Sequence, residues 1–422
     1  MTRDESAEPG RRPESDAPTV AVVGGGAVGA TAAADLAARG ADVTLYDRGD
    51  LGAGSSGRAA GVLYDAYAED VDAALAARAM ERFRAFDRSL PEFSFTPCPY
   101  VIAVREGDSD AEAVPEMVDR MREHDRDVSL VAPEALGERF PLATDDLAVA
   151  AVAEGAGWCD PASYVAATGE RARREGVTVE TDTPVTLAGD GPGLLVDGAE
   201  GPGEGRRFDA VVVAAGAHTA ALLGDAGIEV PVVPYRVQAL TARFGRGANG
   251  ESGSAGYDGP MVYDATAGAY VRPHPTGLLA GDGTEPVPAD PDDYDRTGDG
   301  WFVESVSATL RGRLDAVGPD GPDVDRAWAG LCTATPDGDP LLGPVGDPED
   351  RVFVAAGWQG HGFMRAPATG ELLAEGVLAS LDGTEASDPA SPWIDAFDPD
   401  RFDGSEAFEI VEGMSVEGRT KE

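Results

Sequence analysis

Lysine is almost missing from this chain. Of the 33 Lys+Arg among 422 residues, the single lysine is Lys421 and the other 32 are arginine. Against them stand 76 Asp+Glu, which leaves a formal net charge of −43. A polyanion of this kind is not a non-specific nucleic-acid binder, because phosphate affinity needs clustered cations. Nor is it drawn to an anionic membrane surface. Cysteine is scarce too. Cys98, Cys159 and Cys332 form an odd set without a CxxC pair, so neither a disulfide framework nor a structural zinc site is expected. The four histidines, His124, His218, His274 and His361, are too dispersed for a metal site. No run approaches 18 uninterrupted apolar residues, which excludes an apolar spanning helix. Residues 1–18 lack the apolar segment of a secretory signal. The expectation is a soluble cytoplasmic protein.

What is present is a globular composition. The hydrophobic fraction is 42%, enough for a large core. About 400 residues correspond to two or three domain-sized units. An even excess of acid on a folded chain suits near-saturated salt, where self-repulsion is screened and hydrated carboxylates keep the surface soluble. A halophilic, haloarchaeal-type protein is therefore expected.

The pattern along the chain points to an α/β fold. Thr19–Val23 is a β-branched apolar run ending in glycines. Ala27–Arg39 is helical in period, and Ala41–Tyr46 is a second strand ending at Asp47. Helices are expected near 71–89, 112–124, 133–139, 160–175, 301–317 and 366–381. Asp160 serves as N-cap and Pro161 as first-turn residue of the fourth. Strands are expected at 177–181, 209–213, 235–244, 269–273 and 351–355, with a Gly/Ser-rich insertion at 245–259 and an acidic linker at 290–299. Strand–helix–strand patterning occurs at the start, the middle and the end, and the stretches between read as antiparallel. A Rossmann-like nucleotide-binding domain is thus assembled from discontinuous segments, 19–92, 150–230 and 326–385. An inserted α+β substrate domain, 93–149 and 231–325, is built on a mostly antiparallel sheet. Residues 1–18 and 403–422 read as mobile tails.

The densest local signal is Gly24-Gly25-Gly26-Ala27-Val28-Gly29, a G-x-G-x-x-G run placed between a strand and a helix. Gly24 permits the tight turn, Gly26 lets backbone approach a pyrophosphate, and Gly29 allows close helix–strand packing. The helix start then presents N–H groups and its positive dipole end to the anion. Asp47, at the end of the next strand, has the placement of a ribose-hydroxyl acceptor. Arg48 follows it at the same end of the groove. The fingerprint alone leaves NAD and FAD open.

Other segments resemble the D-amino-acid oxidase-like flavoenzyme superfamily, which includes glycine, sarcosine and dimethylglycine oxidoreductases. Gly54-Ser55-Ser56-Gly57-Arg58-Ala59-Ala60-Gly61 is similar to that family's G-S-S-x-R-x-A-G loop, which runs from the FAD phosphates to the flavin ring. Ser55 and Ser56 offer hydroxyls, and Ala60 and Gly61 leave room for a flat ring. Ala214-Ala215-Gly216-Ala217-His218 resembles the A-x-G-A-W strand end, with His218 in place of the Trp. Thr183-Pro184-Val185 matches the stretch whose backbone holds adenine, which carries that role to Val185. Gly357-Trp358-Gln359-Gly360-His361-Gly362-Phe363-Met364-Arg365-Ala366-Pro367 is similar to the C-terminal G-F-S-G-H-G-F-M-x-A-P loop. The resemblance implies that Gly357, Gln359, Gly360, His361 and Gly362 lie beside the flavin.

Trp328–Gly343 resembles the family's W-x-G-x-x-x-x-T-P-D-x-x-P-x-x-G stretch, with two departures. Cys332 stands where glycine oxidases and D-amino-acid dehydrogenases carry a carboxylate-binding arginine. Gly330 stands where monomeric sarcosine oxidases carry the cysteine bonded to flavin, so non-covalent FAD is expected. Tyr270-Val271-Arg272-Pro273 resembles a Y-x-R-P strand that faces the flavin. Candidates for the substrate site are therefore Arg58, Arg272 and Arg365, whose forks suit a carboxylate, with His361 and His274 as polar contacts. The resemblance implies oxidation of the C–N bond of a small secondary or tertiary amino acid such as sarcosine, dimethylglycine or a proline-like compound. Hydride would pass to flavin N5, and the cofactor would carry most of the chemistry. The alternatives are a D-amino-acid or glycine oxidase/dehydrogenase, or a non-catalytic flavoprotein subunit. An electron-acceptor carrier is a possible partner, because no lysine but Lys421 is available to promote reaction with oxygen.

Overall fold

The computed structural model describes residues 17–189, 191–198, 201–243, 256–385, 390–404, 406–408 and 410. Most of the two expected tails, and residues 245–255 of the expected insertion, lie outside them. The chain begins with β1 (Thr19–Val23), α1 (Ala27–Ala38), β2 (Asp42–Tyr46), β3 (Val62–Leu63), α2 (Asp70–Ser89), β4 (Phe95–Pro97) and β5 (Tyr100–Arg105). It continues through α3 (Val114–Glu123), β6 (Val128–Val131), α4 (Pro133–Arg139), β7 (Leu147–Ala153), β8 (Gly157–Cys159), α5 (Pro161–Arg174) and β9 (Thr178–Glu180). Then follow β10 (Val185–Leu187), β11 (Gly193–Gly198), β12 (Gly201–Arg207), β13 (Ala210–Val213), α6 (Thr219–Gly224), β14 (Val233–Arg243), β15 (Met261–Asp264) and β16 (Ala269–His274). The last elements are β17 (Gly277–Pro288), α7 (Gly300–Arg313), β18 (Asp323–Ala334), β19 (Leu341–Val345), β20 (Val352–Ala356) and α8 (Gly362–Leu381).

Two large sheets organise these elements. The first is six-stranded, in the order β19-β20-β13-β1-β2-β9. All its pairings are parallel except β19 with β20. Its central strands are buried on both faces and are accordingly continuous apolar runs, as in Val20–Val23 and Val211–Val213. One face is covered by α1, α5 and α8. Helix α1 is rich in alanine, so α8 approaches closely enough that a methyl at Gly370 would lie 2.6 Å from Thr31 Cβ. The second sheet is eight-stranded, in the order β18-β14-β17-β16-β15-β5-β7-β6. It is antiparallel throughout except for β15 with β5. Phe302, Val306 and Leu310 of α7 pack on one of its faces, and Val114, Met117, Val118 and Met121 of α3 belong to the cluster on the other.

Some boundaries differ from the expectation for physical reasons. Helix α8 starts at Gly362 rather than Ala366, so Arg365 lies in its first turn and Pro367 is accommodated inside it. Strand β18 is legible in the sequence only as a motif, because its Gly330 and small side chains mask the alternation. The small antiparallel sheet β10-β11-β12 was also unread, since β11 and β12 hold several glycines with no side-chain pattern.

Candidate functional site

The site grows from the turn between β1 and α1. Gly24 has φ +107°, and a methyl there would overlap the Ala214 carbonyl of the neighbouring strand end. A methyl at Gly29 would overlap the Gly24 carbonyl. Gly26 is the N-cap of α1, and the only neighbour its missing Cβ would meet is Ser56 Oγ, 3.0 Å away. The space over Gly26 is therefore open, and the first-turn N–H groups of α1 face it. One of them, on Ala27, donates to Ser56 Oγ at 2.9 Å. Val28 and Gly29 complete that turn.

Asp47 closes one bank of this groove. Its Oδ2 accepts from the Gly25 N–H at 2.7 Å and its Oδ1 from the Gly49 N–H at 2.9 Å. Each oxygen keeps a further lone pair for a hydroxyl. The Asp47 carbonyl accepts from the Thr183 N–H at 2.9 Å, which fixes the chain leading to Val185 at the start of β10. On the other bank, Ala215 and Gly216 follow β13 in a short 3-10 turn, with Gly216 at φ +58°. Arg48 and His218 reach from the two banks to a shared carboxylate, Asp292, at 3.0 Å each.

The loop 52–61 runs from this groove toward the second sheet and is pinned at both ends. Its Gly52 N–H donates to the Gly25 carbonyl at 3.0 Å. Ser55 Oγ donates to the Leu331 carbonyl at 2.6 Å, and the Trp328 indole N–H to the Arg58 carbonyl at 3.3 Å. Arg272 Nε donates to the Ala60 carbonyl, and Gly61 sits at φ +69° against the Cys159 carbonyl. Ser56 thus faces the glycine turn, whereas Ser55 binds the strand β18 that carries Cys332.

The C-terminal glycine loop meets the same place. Gly357 and Gly360 have positive φ, and so does Gln359 at +46°, a conformation that costs a non-glycine residue energy. It is held there by the Gln359 N–H donating to the Thr333 carbonyl at 2.8 Å. The Gly357 N–H donates to Thr333 Oγ1 at 3.1 Å. His361 is the N-cap residue of α8, before Gly362, and its ring meets Tyr67 edge-on at 5.8 Å.

The structure separates the three arginines. Arg365 is buried, lies 4.8 Å over the Tyr67 ring and pairs with Asp72 at 2.7 Å, so its charge is already matched. Arg58 is half-buried and folds back onto the Ala53 and Gly54 carbonyls. Arg272 is 3% exposed, lies 4.8 Å over the Trp158 ring and donates from Nη1 to the Pro273 carbonyl at 2.6 Å. Among the described residues no carboxylate pairs with it. Burial pushes its pKa down to about 10. His274, two residues along β16, is held below its usual pKa by burial and by Arg272, and accepts from the Thr276 N–H at 3.3 Å.

An aromatic stack adjoins this region. Tyr64 lies 5.0 Å from Tyr67 and 4.9 Å from Tyr100, with rings tilted by no more than 20°. Tyr67 OH donates to Met364 Sδ at 3.0 Å. Burial pushes the Tyr64 and Tyr100 phenols far up, so they stay protonated. Sequence reasoning missed Tyr64, Tyr67, Tyr100, Trp158 and Asp72. Tyr64 and Tyr67 had only their place soon after the Gly61 loop as a signal, which core packing explains equally well, and the other three had none.

A glycine turn with open space before a helix start, an acid at the end of the next strand and a second glycine loop at a helix start together fit FAD. The family described as FAD dependent oxidoreductase (DAO) matches residues 19–376. The chain belongs to that family. It is an FAD-dependent oxidoreductase. A glycine oxidase from Bacillus licheniformis is 27% identical over 402 residues, covering 90% of this chain and 96% of that one. The monomeric sarcosine oxidase of Bacillus sp. (strain B-0618) is 27% identical, with 85% and 92% covered. Among solved structures, L-proline dehydrogenase from P. horikoshii superposes with a TM-score of 0.76 at 25% identity, covering 91% of this chain and 97% of that one. Among the described residues no helix is long and apolar enough to cross a membrane, and no His/Cys/Asp/Glu group would hold a metal.

Proposed function

We propose that this enzyme oxidises the C–N bond of a small amino acid whose nitrogen is secondary or tertiary, with Arg272 holding the substrate carboxylate. The observation that carries the reading is Arg272 itself: a buried guanidinium beside the Ala60 loop with no acidic partner among the described residues. Such a charge is costly until an anion meets it. A carboxylate would accept a charge-assisted fork from it and restore the ordinary preference for the charged form. Bound non-covalently, FAD supplies the two-electron acceptor. The chain's own part is to bind the carboxylate through Arg272, to keep His274 neutral nearby, and to wall the region with Tyr64, Tyr67 and Tyr100. None of these phenols yields a proton at neutral pH, so the amine reaches its neutral form through solvent. The likeness to a sarcosine oxidase and an L-proline dehydrogenase, both named for secondary amines, supports the choice of nitrogen.

A glycine or D-amino-acid substrate is the second reading, favoured by the glycine oxidase relative. The cysteine at 332, where glycine oxidases carry an arginine, weighs against it. Electrons are expected to pass to a carrier rather than to oxygen, because Lys421 is the only lysine in the sequence.

The test is anaerobic bleaching of the bound flavin by sarcosine, dimethylglycine, L-proline, glycine and D-alanine in parallel. Bleaching by an N-substituted amino acid at the lowest concentration supports the reading. Preference for glycine or D-alanine replaces it with the second, and no bleaching by any of them overturns both readings of the substrate. Arg272→Gln is expected to raise KM roughly 100-fold while the FAD content holds. An unchanged KM removes Arg272 from the site. Slow reoxidation of the reduced enzyme by air is the expected sign of a dehydrogenase.

A further inference from the structure

The expected acidic linker, residues 290–299, crosses the outside of the molecule from β17 to α7, and both its ends are fastened to the eight-stranded sheet. The Ala289 N–H donates to the Pro234 carbonyl of β14 at 2.8 Å. Buried Arg236 of β14 donates from Nε to the Asp295 carbonyl at 2.8 Å and from Nη2 to the Thr297 carbonyl. The Ala329 N–H of β18 donates to the Arg296 carbonyl at 2.9 Å. Between these anchors Asp292 leaves the second sheet and reaches the first. Its Oδ1 accepts from Arg48 Nη1 and bonds His218 Nε2, both at 3.0 Å. Its carboxyl is held below the usual range by His218 and Arg48 and is therefore ionised at neutral pH.

The place of those two partners gives the contact its meaning. Arg48 follows β2 and His218 follows β13. In the sheet, β1 lies between β13 and β2. Their backbones thus leave the sheet two strand spacings apart, about 10 Å, on either side of the glycine turn, and their side chains converge on one oxygen, Asp292 Oδ1. One carboxylate joins them across the end of β1, where the dinucleotide groove opens. Arg48 and Asp292 are both exposed, so this bridge is the outer surface of the groove.

We propose that Asp292 is a positioning residue for FAD. The segment 289–299 acts as a strap across the dinucleotide groove, with Arg48 and His218 as its two catches, and it slows cofactor release. The strap is fastened to the eight-stranded sheet, so it also ties that sheet to the cofactor side independently of any substrate. Exposed ion pairs are individually weak, so the expected effect is on the rate of release and not on whether FAD binds.

The experiment follows the activity gained by an excess apo-flavoenzyme trap as it takes up the FAD released from the loaded protein. Asp292→Asn is expected to release FAD three- to tenfold faster, with the thermal midpoint of the apo-protein unchanged. Asp293→Asn removes the same charge from an exposed neighbour and is expected to leave the rate alone. Asp292→Glu keeps the acceptor and is expected to restore slow release. Raised salt should accelerate release from the wild type more than from Asp292→Asn. Equal rates for wild type and Asp292→Asn overturn the proposal. So does slower release from Asp292→Asn, which would mean that the freed Arg48 and His218 bind the cofactor better alone. Release needs no substrate, so failure here leaves the proposed substrate class standing, and failure of that class leaves the strap standing.

Discussion

Gly24, Gly26 and Gly29 lie in one turn, yet they forbid a side chain for different reasons. A methyl at Gly29 would overlap the Gly24 carbonyl, and one at Gly24 would overlap the Ala214 carbonyl, so both positions belong to the fold. Gly26 has no backbone against it and carries an ordinary φ of −75°. Gly26→Ala is therefore expected to fold, with apo-protein stability within about 1 kcal/mol of wild type, because only Ser56 Oγ must shift. If the turn is the proposed pyrophosphate site, the added methyl blocks the approach of backbone to it, and FAD affinity should fall by about 100-fold or more. Gly29→Ala should instead lower the thermal midpoint of the apo-protein itself. Flavin titration beside apo-protein melting checks the contrast. A Gly26→Ala protein that binds FAD normally would remove this turn from the cofactor site. These glycines were readable in the sequence because their spacing reports backbone geometry, which a local motif encodes. The matched charge of Arg365 was not readable, because Asp72 lies 293 positions away and only tertiary packing brings them together.

Elements are joined by a buried charge cluster of the same non-local kind. Asp35 of α1 is 1% exposed and accepts two hydrogen bonds from Arg82 of α2, at 2.6 and 2.9 Å. It accepts a third from Arg171 of α5 at 2.7 Å. Arg82 also donates to the Pro367 carbonyl of α8 at 2.7 Å. One carboxylate thus joins α1, α2 and α5, and Arg82 extends the link to α8. Removing the carboxylate's charge leaves the half-buried Arg171 without its ion partner and the buried Arg82 with only Glu371, at 3.8 Å. Asp35→Asn is expected to destabilise the protein by about 3–5 kcal/mol, measured by denaturant melting. Glu375→Gln breaks the more exposed pair with Arg39 and should cost about 0–1 kcal/mol. Equal losses from the two would show that the buried cluster is not what clamps the helices. The helices themselves were legible: α1 and α5 follow from apolar periodicity and caps. Their clamp was not, because Asp35 lies in an otherwise apolar helix and nothing local names its partners. The strands β10, β11 and β12 were illegible for the opposite reason, since glycine offers no pattern to read.

At the scale of the whole molecule, the scarcity of cations sets two opposing responses to acid. The folded chain concentrates a net charge of −43 more tightly than the unfolded chain does. In dilute salt this repulsion makes the folded state take up protons more readily. Stability should then rise as pH falls from 7 toward about 5. Specific carboxylates pull the other way. Asp209 is held below its usual pKa by the Thr19 N–H and hydroxyl, and Asp299 by the Arg236 guanidinium. A depressed carboxyl contributes stability above its unfolded pKa and loses it as pH falls through the lower folded value, so below about 4 the trend must reverse. Salt acts on the two terms unequally. The Debye length falls from about 10 Å at 0.1 M to about 3 Å at 1 M, which removes long-range repulsion but spares hydrogen-bonded contacts. Melting curves in about 0.1 M KCl are therefore expected to show a stability maximum on the acid side of neutrality. In about 3 M KCl the midpoint should be higher at pH 7 and flat down to about pH 5, then fall. A protein that melts highest in dilute buffer at pH 7 would show that its acid excess is not an adaptation to salt.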